Sequence, residues 1–430
     1  MKKLLFLLTA LILGACSQKA DYNDFVRVVD GRFLRGGKPV RFVGANFWYG
    51  AVLASEGRGG DRERLAEELD TLKALGISNL RVLVGAEGSE GVPYRISPSL
   101  QTAPGEYNDT LLRGLDYLLC ALAERDMQAV LYLNNCWEWS GGFGAYLEWS
   151  GEGRALLPLK DGYIPYTKEM SKFSTAPKAK ELFFNHIRTI VGRINSISGK
   201  PYAEDPAIFA WEICNEPRCF SSDSLVREAF AGWIAEAAGT IREKDKNHLI
   251  TTGSEGYNGC EQDWGLFEQV HSCPNIDYIT VHIWPYNWAW TKAPSPENYV
   301  AAAIDSTKAY LYPHLAIAER LGKPVVVEEF GFPRDSMLNG GGTSGRDAYY
   351  RFMMETLINQ VDKEGPLAGV NFWGWSGSAP EMPQGTMWAP GLPYCADPAQ
   401  EEQGLNGVYL SDEGTVSLLE KCASELLNKK

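Results

Sequence analysis

Short apolar runs alternate with longer stretches of helical periodicity along most of the chain. The strand-like runs are Arg41–Asn46, Asn79–Val84, Gln128–Asn134, Ile208–Cys214, His248–Thr252, Tyr278–His282, Val325–Glu329 and Gly369–Trp373. The helix-like stretches cover 61–75, 108–125, 178–196, 223–243, 298–320, 345–360 and 414–428. The helix after the fifth strand is poorly marked. Before the first run, residues 25–43 alternate apolar and polar positions around Asp30-Gly31 and Gly36-Gly37, which predicts a small N-terminal β-hairpin capping the domain. Strands alternating with helices predict an α/β chain, a (β/α)8 TIM barrel.

The links between elements are unequal. Helix-to-strand links look short, as at Gly76–Ser78, Arg125–Met127 and Leu321–Pro324. The strand-to-helix links are long: 85–107, 135–177, 253–277, 283–297 and 374–411. In this fold the links that follow the strands form the catalytic face, so the extra length gathers around one cleft. These links are rich in aromatics: Trp137, Trp139, Tyr146, Trp149, Trp284, Tyr286, Trp288, Trp290 and Trp388. About half are expected to pack the links together. The others would offer flat faces to sugar rings.

Composition narrows the partners. The formal net charge is −13, which disfavours a phosphate backbone and argues against nucleic acid. No CxxC or HExxH pattern occurs, so no metal site and no cofactor are predicted. Lys2 and Lys3 precede a short apolar run, Leu4 to Leu13, which reads as a signal peptide over residues 1–15. Leu13-Gly14-Ala15-Cys16 resembles a bacterial lipobox. That implies cleavage before Cys16, acylation of its thiol and a tether over 16–24. Ser17 in place of an acid implies an outer-membrane lipoprotein of a Gram-negative bacterium. The remaining residues, 25–430, read as one barrel domain, expected to be a monomer that meets a membrane only through the anchor on Cys16. The other cysteines, Cys214/Cys219 and Cys260/Cys273 among them, are candidates for disulfides outside the cytoplasm.

Two carboxylates carry the candidate chemistry. Glu216 lies in AIFAWEICNEPRC and Glu329 in KPVVVEEFGFP, each at the end of an apolar run. A buried acid at a strand end is costly unless it is paired or used. Pro217 is expected to hold Glu216 in an extended conformation at the barrel mouth. Glu328 and Glu329 are neighbours, so their side chains are expected on opposite faces, with Glu329 at the mouth and Glu328 structural. Glu212, one pleat deeper than Glu216, is expected to be a buried ion-pair partner of Arg81.

Asn215-Glu216-Pro217, Glu329-Phe330-Gly331, Arg81, His282 and Trp373, in that placement on the strands, resemble glycoside hydrolase family 5 within the clan of retaining (β/α)8 glycosidases. The resemblance spans most of residues 40–375. Arg218-Cys219, the Asn134-Asn135 pair, Trp137, Gly141-Gly142 and the stretch His282 to Trp288 resemble its β-mannanase branch. The resemblance implies Glu216 as acid/base and Glu329 as nucleophile. It implies substrate-binding roles for Arg81, Asn135, Trp137, Asn215, Arg218, His282, Trp284 and Trp373, with Arg81 also keeping Glu329 ionised. One position departs from the family. Two residues after the histidine a tyrosine commonly touches the nucleophile; here Trp284 stands there, an indole that donates but cannot accept. Tyr286 or another group is then left to orient Glu329.

The activity this implies is a retaining endo-β-1,4-mannanase acting on mannan or glucomannan. The alternatives are a β-1,4-glucanase or an exo-acting mannosidase of the same mechanism. An alternative of another class is a non-catalytic glycan-binding lipoprotein. A β-linked polysaccharide or oligosaccharide is the partner in each.

Overall fold

The computed structural model describes residues 24–429. The signal peptide, Cys16 and the tether up to residue 23 lie outside the described residues. Eight parallel strands form one sheet: β1 (Phe42–Asn46), β2 (Asn79–Leu83), β3 (Gln128–Tyr132), β4 (Ile208–Glu212), β5 (Leu249–Thr251), β6 (Ile279–Ile283), β7 (Val325–Phe330) and β8 (Leu367–Phe372). Their order is β5-β4-β3-β2-β1-β8-β7-β6. The seam between β5 and β6 is bridged by Asp277 N–H to Ile250 O at 2.8 Å and His282 N–H to Glu255 O at 3.3 Å. The sheet is thus nearly closed into a barrel.

The helices follow the strands: α1 (Arg62–Ala74), α2 (Asp109–Glu124), α3 (Pro177–Val191), α4 (Ser224–Lys244), α5 (Trp264–His271), α6 (Val300–Leu321), α7 (Ser344–Asp362) and α8 (Glu413–Asn428). Local chemistry starts several of them. Asp61, Asn108, Asp223 and Asp263 each accept backbone N–H groups of the first turn. α5 is only eight residues long, which is why its periodicity is faint.

Two features of the N-terminal half go beyond the sequence reading. Residues 26–39 form the expected hairpin and extend it to three antiparallel strands, because the chain turns a second time at Gly36-Gly37 and pairs Lys38 and Pro39 with Arg35 and Leu34. Phe33 from this small sheet packs edge-on against Phe209 and Tyr278 at 5.3 Å each and plugs the barrel floor. The 135–177 link is not a bare loop. It carries helices Gly142–Ser150 and Tyr163–Met170, with Phe143 stacked on Phe173 at 4.0 Å.

The eight described cysteines are unpaired, so the expected disulfides are absent among the described residues. Several thiols have local acceptors instead: Cys214 Sγ to Asn215 O at 3.3 Å and Cys395 Sγ to Gln403 Oε1 at 3.2 Å. No helix among the described residues is long and apolar enough to cross a membrane.

Candidate active site

β4 ends at Glu212, and the chain continues as a hook that stays bonded to both neighbours. Asn215 N–H donates to Asn134 O and Glu216 N–H to Gly253 O, each at 2.9 Å. Glu216 adopts φ +50°, not the extended conformation expected before a proline. A non-glycine residue there is strained, and such strain concentrates where a side chain must be aimed. The carboxyl is held at both oxygens: Trp137 Nε1 donates to Oε2 at 2.5 Å, and His282 Nδ1 lies 2.9 Å from Oε1.

Glu329 comes from the last turn of the pleat of β7. Arg81 Nη1 donates to its Oε1 at 2.5 Å and Trp284 Nε1 to its Oε2 at 3.0 Å. The indole of Trp284, not Tyr286, occupies the place where the family commonly sets a tyrosine. Gly331 makes room for it: a Cβ there would stand 2.6 Å from the indole ring. His282 Nδ1 reaches Glu329 Oε2 at 3.4 Å, and the facing atoms of Glu216, His282 and Glu329 lie within 4.8 Å of one another. That separation belongs with retaining glycosidases, whose carboxyls stand ~5–5.5 Å apart, rather than with inverting ones at ~6.5–9.5 Å.

Glu328 departs from the expected alternation. Val281 pairs with Val327 and His282 with Glu329, so Glu328 is the extra residue of a β-bulge. The bulge breaks the period of two and brings both carboxyls to the Arg81 side. Glu328 Oε2 is 3.8 Å from Arg81 Nε, and Oε1 accepts from Tyr278 Oη at 3.2 Å. Arg81 is wholly buried and also grips Glu212 through Nε at 2.7 Å and Nη2 at 2.5 Å. One cation thus faces three buried carboxyls.

Burial pushes both Glu216 and Glu329 above the usual carboxylate range. The sequence reading has Arg81 keeping Glu329 ionised; here burial outweighs Arg81, so the net direction is upward. Arg81 and Trp284 nevertheless favour the charged form of Glu329 within the pair. Burial and then Arg81 push His282 down to about 3, so its ring is neutral.

The carboxyls open into a cavity of about 1090 Å³, lined also by Trp137, Asn215, Arg218, Trp284 and Trp373. Arg81 and Asn135 do not line it. Asn135 is buried behind the site, where its Oδ1 accepts from Asn215 Nδ2 and Trp137 N–H, each at 3.0 Å. Asn215 Oδ1 accepts from Arg81 Nη2 at 2.8 Å, so the free face of its amide is a second N–H. Arg218 is clamped by Glu255 at 2.5 and 2.6 Å and lies over Trp137. Trp373 meets Trp284 edge-on at 5.7 Å, and its indole N–H has no partner.

Four acids in the cavity wall escaped the sequence reading: Glu138, Glu255, Glu261 and Glu401. Glu255 follows the apolar run of β5 and could have been noticed by the logic that found Glu216. Glu138 and Glu401 sit in irregular links where no period marks them. Burial pushes Glu138 up to about 7. Glu401 is partly exposed as a residue, yet its carboxyl is enclosed enough to be pushed up to about 8, with Asp397, Glu216 and Glu138 adding to the rise.

The chain is similar to known enzymes. A family profile described as GH family 5 beta-mannosidase-like matches residues 23–430. The crystal structure of a glycoside hydrolase family 5 mannosidase from Rhizomucor miehei superposes with TM-score 0.85 at 33% identity, covering 95% of this chain and 99% of that one. A mutant of that mannosidase in complex with mannosyl-fructose gives TM-score 0.86 at 33% identity over 95% and 98% of the two chains. Mannan endo-1,4-beta-mannosidase 7 of Arabidopsis thaliana is 29% identical over 365 residues, 82% of this chain and 78% of that protein.

Proposed function

The chain belongs to glycoside hydrolase family 5, in its β-mannosidase-like group, and we propose from that premise that it releases mannose from the ends of β-1,4-linked manno-oligosaccharides by retaining double displacement. Glu329 attacks the anomeric carbon while Glu216 protonates the leaving oxygen, giving a glycosyl ester on Glu329. Ester formation removes the negative charge beside Glu216, which then takes a proton from the incoming water as that water releases the sugar. The second N–H of Asn215 is offered to the sugar 2-hydroxyl, a bond that strengthens at the oxocarbenium-like transition state. Trp373 presents its ring as the floor of the sugar site.

The observation that carries the choice of chain ends is a closed rim over β1 and β2. The Trp48 indole N–H donates to Ala396 O at 2.7 Å, and its ring meets Trp139 edge-on at 5.5 Å. Ala396 belongs to the link after β8 and Trp139 to the link after β3. The two links join through Trp48, and Pro398, Gln400 and Glu401 stand in the same cavity wall as Glu138 and Trp139. A polymer crossing the site needs an exit on both sides, whereas a wall on one side favours a chain end.

The name of the Arabidopsis relative favours a second reading, internal cleavage of mannan. Time-resolved mass spectrometry of products from mannan, glucomannan, cellulose and mannobiose to mannohexaose separates the two. Mannose as the first product supports the end-acting reading. Mannobiose and mannotriose appearing first from mannan, with a fast fall in viscosity, would establish the internal one. Faster turnover of cellulose than of mannan would make it a glucanase, and binding without turnover a glycan-binding protein. The lipobox-like Leu13–Cys16 supports export and anchoring; Cys16→Ala is expected to free the enzyme from the membrane fraction.

A further inference from the structure

Glu328 Oε2 and His282 Nε2 are both buried without a hydrogen-bond partner, and they face each other at 4.0 Å. Two unpaired polar atoms side by side in a packed interior are costly unless one gives a hydrogen to the other. The surroundings decide the direction. His282 Nδ1 faces two carboxyl oxygens, Glu216 Oε1 at 2.9 Å and Glu329 Oε2 at 3.4 Å. A lone pair on Nδ1 would oppose those of Glu329, so Nδ1 carries the hydrogen. The ring is neutral and has only one, which leaves Nε2 an acceptor. The atom facing it is Glu328 Oε2. Arg81 Nε, 3.8 Å from the same oxygen, is already given to Glu212.

We propose that Glu328 is a protonated carboxyl whose Oε2–H is directed at His282 Nε2 and fixes the Nδ1–H tautomer, which makes Glu328 a positioning residue for Glu216. The inference rests on reading Glu216 as the acid. Charge supports it: Arg81 is one cation among Glu212, Glu328 and Glu329, so three ionised carboxylates would leave two buried charges unbalanced. Burial, then the nearby Glu212, raise Glu328 well above the usual range. A carboxyl kept neutral in this way acts as a donor at neutral pH.

The consequence concerns the proton on Glu216. With Nδ1–H donating to Oε1, that proton resides on Oε2, the oxygen beside Trp137 in the cavity wall. With the opposite tautomer it would sit on Oε1, between Glu216 and His282 and turned from the leaving oxygen. No proton travels along the chain of groups; Glu328 and His282 only select the oxygen that holds it. Besides Glu216, Glu328 and Glu329, the charged groups acting on His282 are Arg81 from β2, Glu212 from β4, Arg218 from the link after β4 and Glu255 from the link after β5.

The test reads the ring directly. In protein labelled with ¹⁵N-histidine, with His282→Asn used to assign the signal, two-bond spectra are expected to show Nδ1 protonated and Nε2 bare near neutral pH. A hydrogen on Nε2 would overturn the proposal whether or not any mannoside is turned over. Glu328→Gln places an amide N–H at the same position and is expected to keep the tautomer, with kcat lowered only ~3-fold. Glu328→Leu has no donor and is expected to lose the tautomer, with kcat reduced ~10²-fold, the low end of a general acid's contribution, and KM little changed. Retention of both tautomer and kcat in Glu328→Leu would also reject it. The expected spectra in a protein inactive on mannosides would count against the proposed substrate and not against the Glu328–His282 pair.

Discussion

Trp284 donates its indole N–H to Oε2 of Glu329 at 3.0 Å. An indole cannot accept, so this contact favours the charged form of Glu329 in every protonation state of its neighbours. Hydrogen bonds to charged groups are worth about 1.5–3 kcal/mol. Trp284→Phe is therefore expected to lower kcat/KM on mannobiose by about 10- to 100-fold. Trp284→Tyr, which restores a donor, should recover part of it. Equal activity in Phe and wild type would show that Arg81 alone orients Glu329.

The two carboxyls should separate by leaving group. Glu216→Gln is expected to slow manno-oligosaccharide cleavage ~10²–10⁴-fold, the usual contribution of a general acid. An aryl mannoside whose phenolate leaves without protonation should still form the ester and show a burst. Glu329→Gln should show no burst with either substrate. Stopped-flow amplitudes together with the mass of the trapped adduct check this, and a burst in Glu329→Gln would remove it from the nucleophile role.

Glu138 imposes a pH-dependent cost on the fold. Burial raises its carboxyl from the model-peptide value of 4.5 to about 7. A raised carboxyl binds its proton more tightly in the folded chain. The folded state is therefore favoured below the unfolded value, and the penalty builds between pH 4.5 and about 7, up to roughly 3 kcal/mol. Glu138→Gln should consequently unfold at higher temperature than wild type at pH 8 and at the same temperature near pH 4. Equal melting temperatures at pH 8 would show that the carboxyl is solvated.

How far the sequence carries the fold follows from which period is respected. The eight barrel strands are buried on both faces, so each reads as an apolar run, and their observed limits differ from the expected ones by two residues or fewer at each end. The candidate catalytic pair is visible for the same reason: Glu216 and Glu329 interrupt or end such runs. Strand parity places Glu328 on the opposite face only if the ladder is unbroken, and a one-residue bulge cancels it. A following proline usually enforces an extended conformation; at Glu216 hydrogen bonds to its backbone and carboxyl override that local preference. Trp48 joins the links after β3 and β8 through contacts between segments far apart in sequence, which no local pattern encodes.

The buried thiols should be inert. Burial raises Cys219 to about 11 and Cys395 and Cys422 to about 12, so almost no thiolate is present at neutral pH. A native disulfide would contribute roughly 2–5 kcal/mol, enough to move the melting temperature by several degrees on reduction. Dithiothreitol is expected to leave it unchanged, and alkylation after denaturation without reductant should label all eight described cysteines. A protein of lower label count would contain an oxidised pair.

Asp245 shows the opposite sign from Glu138, at the other end of the barrel. It follows α4, before β5, on the face of the barrel opposite the site, where side chains act on stability. Burial alone would raise its carboxyl. Four donors overturn that: the His248 ring at 2.6 Å, the Trp211 indole at 2.7 Å, and the N–H groups of Asn247 at 2.7 Å and His248 at 3.0 Å. The net effect lowers it from 3.8 to about 2. A depressed carboxyl stabilises the folded chain above its unfolded value, so this contribution is complete above pH 4 and disappears as the pH falls through about 2. Its size is roughly 2 kcal/mol. Asp245→Asn should therefore lower the urea midpoint at pH 6, and the gap to wild type should shrink between pH 4 and 2. A gap independent of pH would mean that the loss comes from packing of the amide and not from the charge.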